Sequence, residues 1–348
     1  MPEGFAVPDL VAELGLTNPV VAAPMAGGPT TPQLVLAAAG AGSLGFLAGG
    51  YQSADQLAEQ IDTVRAGTST FGVNLFAPHP VPVDPDAYAR YRDLLAADAE
   101  RFGVTLPRDP VEDDDAWQDK VEVLLARAVP VVSFTFGLPD PASAAALRSA
   151  GSLLVQTVTS VDEARLAAEA GLDALAVQSA SAGGHSGTFT PDRPVERRPL
   201  VELVAAIRAA VQLPLIAAGG VAEARAVAAA LHAGAQAVAV GTALLLAPEA
   251  GTSAAHRAGL TGRDRGDPVG IRSFSGRPAG GLANAFTAAH EGTAPLGYPA
   301  VHHLTRPIRR AAAAAGDPEY VNLWAGSGYR AIVERPAAET LRALSTSA

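Results

Sequence analysis

Short runs of Val, Ile, Leu and Phe recur along the chain, separated by Ala-rich stretches in which apolar positions return at helical spacing. The first kind of run predicts buried strands and the second amphipathic helices; their alternation is the pattern of a parallel sheet built from strand-helix units. Eight strands are predicted, at Pro19–Met25, Ser43–Leu47, Thr70–Leu75, Val129–Phe134, Leu153–Thr157, Ala174–Gln178, Leu213–Ala217 and Ala237–Val240. Helices are predicted at Thr31–Ala39, Ser53–Ala66, Pro139–Ala150, Ser160–Ala170, Val195–Ala210 and Val221–Ala233. Ser160, with Glu163 three residues on, reads as a capping box. Eight strands with intervening helices read as an α/β fold, a (β/α)₈ TIM barrel over residues 1–250.

Two segments break the rhythm. Residues 76–115, with several prolines and an acidic cluster, read as an insertion after the third strand near the barrel mouth. From residue 251 Gly, Pro and Arg are frequent until Arg306, after which Pro307–Ala315 is again helical in composition; residues 251–348 read as a C-terminal extension packed on the barrel. The run Glu112–Asp115 reads as a solvated helix start, where carboxylates meet the positive end of the helix dipole, rather than as a metal site.

Composition narrows the classes. A hydrophobic content of 49% with 17% charged residues supplies a large core, mostly from Ala and Val. The formal charge of −10 without a basic cluster argues against a nucleic-acid partner. The absence of cysteine removes disulfides, thiolate nucleophiles and thiolate metal sites, and fits a reducing cytoplasm. No apolar run reaches the roughly 18 residues of a membrane span, and no basic region opens the chain, so a cytoplasmic protein is expected. Ala-rich helix faces serve a core or an interface equally, which leaves a homo-oligomer open.

In such barrels the active site lies at the C-terminal ends of the strands. Those positions hold Pro24, Met25, Ala26, Gly27 and Gly28 after the first strand, Asn74 on the third and Gln156 on the fifth. They continue with Gln178 and His185 after the sixth, Gly219 and Gly220 after the seventh, and Gly241 and Thr242 after the eighth. Amides and glycines dominate, which suits an uncharged planar ring in an apolar cleft. Gly219 and Gly220 precede a helix predicted to start near Val221, so bare backbone N–H groups can meet an anion there; Gly241 and Thr242 offer the same, with a hydroxyl added. The plainer reading of each pair is a tight turn, but together they occupy the strands that this barrel type uses for phosphate. His185, on a glycine-rich loop, is the candidate catalytic base, because an imidazole of ordinary pKa near 6.5 takes a proton at neutral pH. Gly40–Gly45 matches G-x-G-x-x-G but follows a helix and enters a strand, so it reads as a turn. His302 and His303 are adjacent, point to different sides and read as structural; no metal site is expected.

The segments Ala23–Gly28, Gly72–Phe76, Ala182–His185, Ala218–Val221, Val240–Thr242, Phe274–Pro278 and Asn322–Gly326 together resemble the FMN-dependent nitronate monooxygenases, formerly called 2-nitropropane dioxygenases. The resemblance implies a TIM barrel in which Pro24 and Met25 lie by the flavin and Asn74 and Gln178 hydrogen-bond around it. It implies that Gly183, Gly219, Gly220, Gly241 and Thr242 surround the ribityl phosphate, and Ala26, Gln156, Gly184 and Val240 are expected beside the cofactor. It makes His185 the base or substrate anchor, and the reaction the oxidation of an alkyl nitronate, or a nitroalkane, with O₂ to a carbonyl compound and nitrite. The chain departs from the family pattern at Ser179 and Ser181, where Gly and Glu are usual, at Gly280 in place of Arg, and at Ser327 in place of Gln. An NAD(P)H-dependent quinone or enoyl-thioester reductase would use the same FMN barrel, and a phosphosugar isomerase or binding protein the same phosphate loops.

Overall fold

The computed structural model describes residues 7–262 and 264–346. Its strands, in chain order, are β1 Val20–Ala22, β2 Phe46–Ala48, β3 Gly72–Phe76, β4 Val131–Thr135, β5 Leu153–Val158, β6 Ala174–Gln178, β7 Gly184–His185, β8 Leu215–Ala218, β9 Ala237–Val240, β10 Val269–Ile271 and β11 Ala279–Gly281. Eight of these form one parallel sheet in the order β1-β9-β8-β6-β5-β4-β3-β2, and a parallel bridge between Ala22 and Gly45 joins its two edges. With helices between successive strands, this is the (β/α)₈ barrel.

Strand alternation sorts the side chains. Val21, Phe46, Val131, Val155 and Ile216 form the barrel interior, and Leu10 from the short helix Leu10–Glu13 packs into the same cluster. The neighbouring positions Val20, Leu154 and Leu215 pack instead with residues of the surrounding helices. Both faces are therefore apolar, which is why the strands appear in the sequence as continuous rather than alternating runs.

Several element boundaries differ from expectation for local reasons. The first strand ends at Ala22, because the chain turns through Gly27 and Gly28 at positive φ and closes a loop with the Met25 N–H donating to Thr30 Oγ1 at 2.8 Å. The helix expected from Val195 starts at Leu200, after an extended Pro199 cap; prolines at 194 and 199 keep the preceding residues out of the helical region. The helix expected from Val221 starts at Ala224, after an extended Glu223. Ser160 caps its helix, accepting the Glu163 N–H at 3.2 Å, but the capping box is not closed. Glu163 instead accepts from the Thr159 N–H, from Thr188 Oγ1 and from the Phe189 N–H at 2.6–2.9 Å, so a buried carboxylate anchors the chain just after His185.

The segment after β3 carries helices Pro85–Leu94 and Ala96–Arg101, and Tyr88, Tyr91 and Leu95 pack against Phe274, Phe286 and Leu304 of the C-terminal part. The acidic run is not a solvated helix start, because the helix begins only at Trp117, after Asp115 and Ala116 at positive φ. Its carboxylates act as straps: Glu112 accepts the Val83 N–H, Asp113 pairs with His303, and Asp115 pairs with buried Lys120 while accepting the Tyr51 N–H at 3.0 Å. The C-terminal part reaches into the barrel mouth through an antiparallel sheet, β10-β11-β7, in which Ala279 faces His185 and Gly280 faces Gly184. Among the described residues no helix is long and apolar enough to cross a membrane.

Candidate active site

A cavity of roughly 390 Å³ opens at the C-terminal ends of the barrel strands. One end is a backbone cradle. Gly219 and Gly220 hold φ of 120° and 74°, conformations that favour glycine, and a Cβ at Gly220 would lie 2.6 Å from Ser327 Oγ and 2.9 Å from Ser181 Cβ. Across from them, Gly241 precedes a short 3₁₀ turn, Thr242–Leu244. Among the described residues the N–H groups of Gly220, Val221, Gly241 and Thr242 meet no protein acceptor. Thr242 Oγ1 accepts the Gly326 N–H at 2.9 Å and keeps its own proton to donate. Converging free N–H groups of this kind form an anion nest. The helix dipole contributes less than the sequence suggested, because the helix starts four residues beyond Gly220.

The middle of the cavity is amide and apolar wall. Pro24, Met25 and Ala26 line one side. Asn74, on β3, donates from Nδ2 to Ser133 Oγ and Thr135 Oγ1 at 2.9 and 3.0 Å, which fixes its amide and leaves Oδ1 as a free acceptor. Tyr51 and Phe136 also line the cavity, both at positive φ, which is uncommon for bulky side chains and marks backbone held by its surroundings. Tyr51 stacks on His302 at 4.1 Å and accepts the Tyr298 hydroxyl at 3.2 Å.

The other end is built around His185, whose strand is fixed from three sides. β11 pairs with it, the Ser186 N–H donates to Pro278 O at 2.9 Å, and Gln178 grips it from below. The Gln178 amide donates to His185 O at 3.1 Å and accepts the Gly187 N–H at 2.7 Å. Although its loop is glycine-rich, the imidazole sits among Phe136, Tyr298 and Trp324, with ring centroids 5.5–5.8 Å away. Its Nε2 lies 2.8 Å from Ser275 Oγ, and that hydroxyl also reaches Arg277 O at 3.3 Å. With the serine proton directed to the carbonyl, Ser275 accepts Nε2–H and Nδ1 carries the lone pair.

Two buried guanidinium groups set the electrostatics. Arg277 lies 4.0 Å over the Phe136 ring, donates to Thr188 O, and leaves Nε and Nη1 without a partner. Arg309, on the cavity wall, donates to Thr305 Oγ1 and His302 O at 3.0 and 2.9 Å. Burial pushes both down to about 10, so both remain cationic at neutral pH. Burial first, and then these two cations, push His185 down to about 3, and it is neutral at pH 7. His256, also on the wall, is pushed down to about 4 by burial and bonds Trp324 O at 3.1 Å.

Of the residues singled out in the sequence, Gly183, Gly184, His185 and Gln178 meet in this cavity with Asn74 and Val240, as do both glycine pairs. Gln156 does not. It is fully buried, with its amide donating to Phe134 O and Thr157 O, and it is Thr157, the next residue on β5, that lines the cavity. His302 and His303 hold Tyr51, Arg309 and Asp113, and no cluster of His, Asp and Glu among the described residues could hold a metal ion. Sequence reasoning missed Tyr51, Phe136, Arg309 and His256. A signal existed for Arg309: the helix Ala300–Ala314 carries three arginines and no acidic residue to pair with them.

Fold and site together define a (β/α)₈ barrel with a ligand cavity at the mouth. The model of the nitronate monooxygenase family matches residues 9–345, and the chain belongs to that family. It is 35% identical to a probable nitronate monooxygenase of Staphylococcus aureus over 335 residues, covering 94% of this chain and 93% of that protein. A nitroalkane oxidase structure from Streptomyces ansochromogenes superposes with a TM-score of 0.91 at 41% identity, over 97% of each chain. FabK from Thermotoga maritima is similar with a TM-score of 0.75 at 25% identity, over 97% of this chain and 95% of its own.

Proposed function

We propose that the chain binds FMN and oxidises alkyl nitronates with O₂ to a carbonyl compound and nitrite. The observation that carries the reading is one cavity with an anion nest at one end and a neutral histidine beside two carboxylate-free arginines at the other. The nest fits a ribityl phosphate, since a Cβ at Gly220 would meet Ser327 and Ser181 and the free N–H groups need an acceptor. Asn74 Oδ1 would accept a ring N–H, with Pro24 and Met25 beside the ring. When bound, FMN supplies the redox step.

The protein's part is to select and hold an anion. Arg309 on the wall and Arg277 behind Phe136 favour a negative charge in the cavity, and a nitronate already carries one. For a neutral nitroalkane, His185 Nδ1 would take the α-proton, an uphill transfer to so weak a base unless the arginines stabilise the nitronate as it forms. Preformed nitronate is therefore the better substrate. Phe136, Tyr298 and Trp324 exclude water around the histidine.

The test is to load the purified chain with FMN and measure nitrite release from nitronates and nitroalkanes, with NADPH consumption followed in parallel. The reading predicts nitrite from nitronates under air and no anaerobic bleaching by NADPH. Rapid bleaching with no nitrite would replace it by a reductase. A folded protein that stays colourless in the presence of FMN would remove both.

A further inference from the structure

A second cavity, of roughly 480 Å³, lies against the same strand, β7, that carries His185. The two cavities share Gln178, Ala182, Gly184 and His185, so this short strand is the partition between them. The outer cavity is walled by the extended segment before Leu200 and by β10 and β11. Two positions where the chain departs from the family pattern, Ser179 and Gly280, line it. At Gly280 a Cβ would lie 2.2 Å from Ala182 O, so this part of the wall is bare backbone.

Three arginines line this concavity: Arg193 and Arg197 from the extended segment, and Arg272 just after β10. None is ion-paired among the described residues, and Arg272 Nε is buried without any hydrogen-bond partner. The wall's Glu291 does not neutralise them by contact, because it accepts the backbone N–H groups of Arg272 and Ser273 at 2.8–3.0 Å. Asp192 is the other acid in the wall. In a chain of net charge −10, three unpaired arginines around one hollow, one with an orphaned buried donor, lack only an anionic acceptor.

We propose that this outer cavity binds a small organic phosphate, with the phosphate held by Arg272, Arg193 and Arg197 and the organic part filling the space along segment 191–199. Planar guanidinium forks suit a phosphate dianion, whose three oxygens accept from three arginines at once. The volume far exceeds that of a bare phosphate ion, which is why an organic ester is the ligand class. The assignment stands independently of the substrate reading above.

Calorimetric titration of the FMN-loaded protein with ADP, adenosine, inorganic phosphate and citrate tests it. ADP binds saturably at one site per chain, inorganic phosphate competes with it, and adenosine does not bind. Arg272→Gln, and separately Arg193→Gln with Arg197→Gln on the exposed segment, each weaken ADP about tenfold or more. FMN content and the KM for nitronate stay within about twofold. These substitutions place the signal in the outer cavity whether or not the inner cradle is filled. No saturable ADP binding, or affinity unchanged in the Arg193 and Arg197 variant, overturns the proposal. Adenosine binding as tightly as ADP, or citrate competing better than phosphate, overturns the phosphate assignment.

Discussion

The two ends of the inner cavity are both glycine-rich loops at strand ends, yet they are built differently. The cradle at Gly219–Gly220 and Gly241–Thr242 is formed by the backbone of two βα turns, packed against Ser179 and Ser181 of the preceding loop and touched from the C-terminal part only at Gly326 and Ser327. The histidine end is a composite: β6 supplies Gln178, β11 pairs with His185, Ser275 bonds its imidazole across 90 positions, and the acidic strap at Asp115 fixes Tyr51. The barrel turns supply a place for a phosphate, and what surrounds the reacting end is brought by the segments added to the barrel. Changes at the two ends should therefore fail in different ways.

The largest effect is expected at the cradle. Gly220→Val introduces backbone strain of about 1–3 kcal/mol on top of its contacts with Ser327 and Ser181, and FMN retention falls by about a hundredfold or more, measured by flavin absorbance after gel filtration. Retention at the normal level would detach the phosphate from this loop. At the other end, Arg309→Met keeps flavin bound but raises KM for an anionic nitronate by about ten- to a hundredfold, with a smaller effect on a neutral nitroalkane. An equal loss on both substrates would show that Arg309 acts through packing rather than charge.

Ser275→Ala is expected to be milder. Removing the partner of Nε2 forfeits a hydrogen bond worth about 0.5–1.5 kcal/mol, so nitroalkane turnover falls about three- to tenfold while flavin content is unchanged. The effect furthest from turnover is on stability. His185, His256 and His302 are all pushed down from the ordinary value of about 6.5, so the folded chain resists protons that the unfolded chain accepts. Their contribution is fully present above about pH 6.5 and is lost progressively as pH falls toward about 3. Tm should be flat above neutrality and decline below about pH 6.5, less steeply in His256→Gln. A Tm independent of pH down to about 4 would show these histidines to be accessible.

The same contrast explains what was legible in the sequence. The barrel strands announce themselves because each is apolar on both faces, and the cradle glycines because they sit directly after two of them. Gln156 was misplaced by reading position along the strand without parity: Val155 points inward, so Gln156 must point out and Thr157 in. The capping partner expected of Glu163 was drawn off by Thr188 and Phe189, contacts 25 and 26 positions away. Tyr51, Phe136 and Arg309 come from three distant segments that meet only in the fold, and no local pattern connects them.

The central claim is that the histidine end serves an anion and that His185 matters as a base only when the substrate still carries its α-proton. It is tested most directly by comparing His185→Asn with the unaltered FMN-loaded protein, by nitrite release from a preformed nitronate and from its parent nitroalkane. The account predicts that nitroalkane turnover falls by about 10²–10⁴, while nitronate turnover stays within about tenfold. Equal loss on both substrates, with flavin still bound, would contradict it.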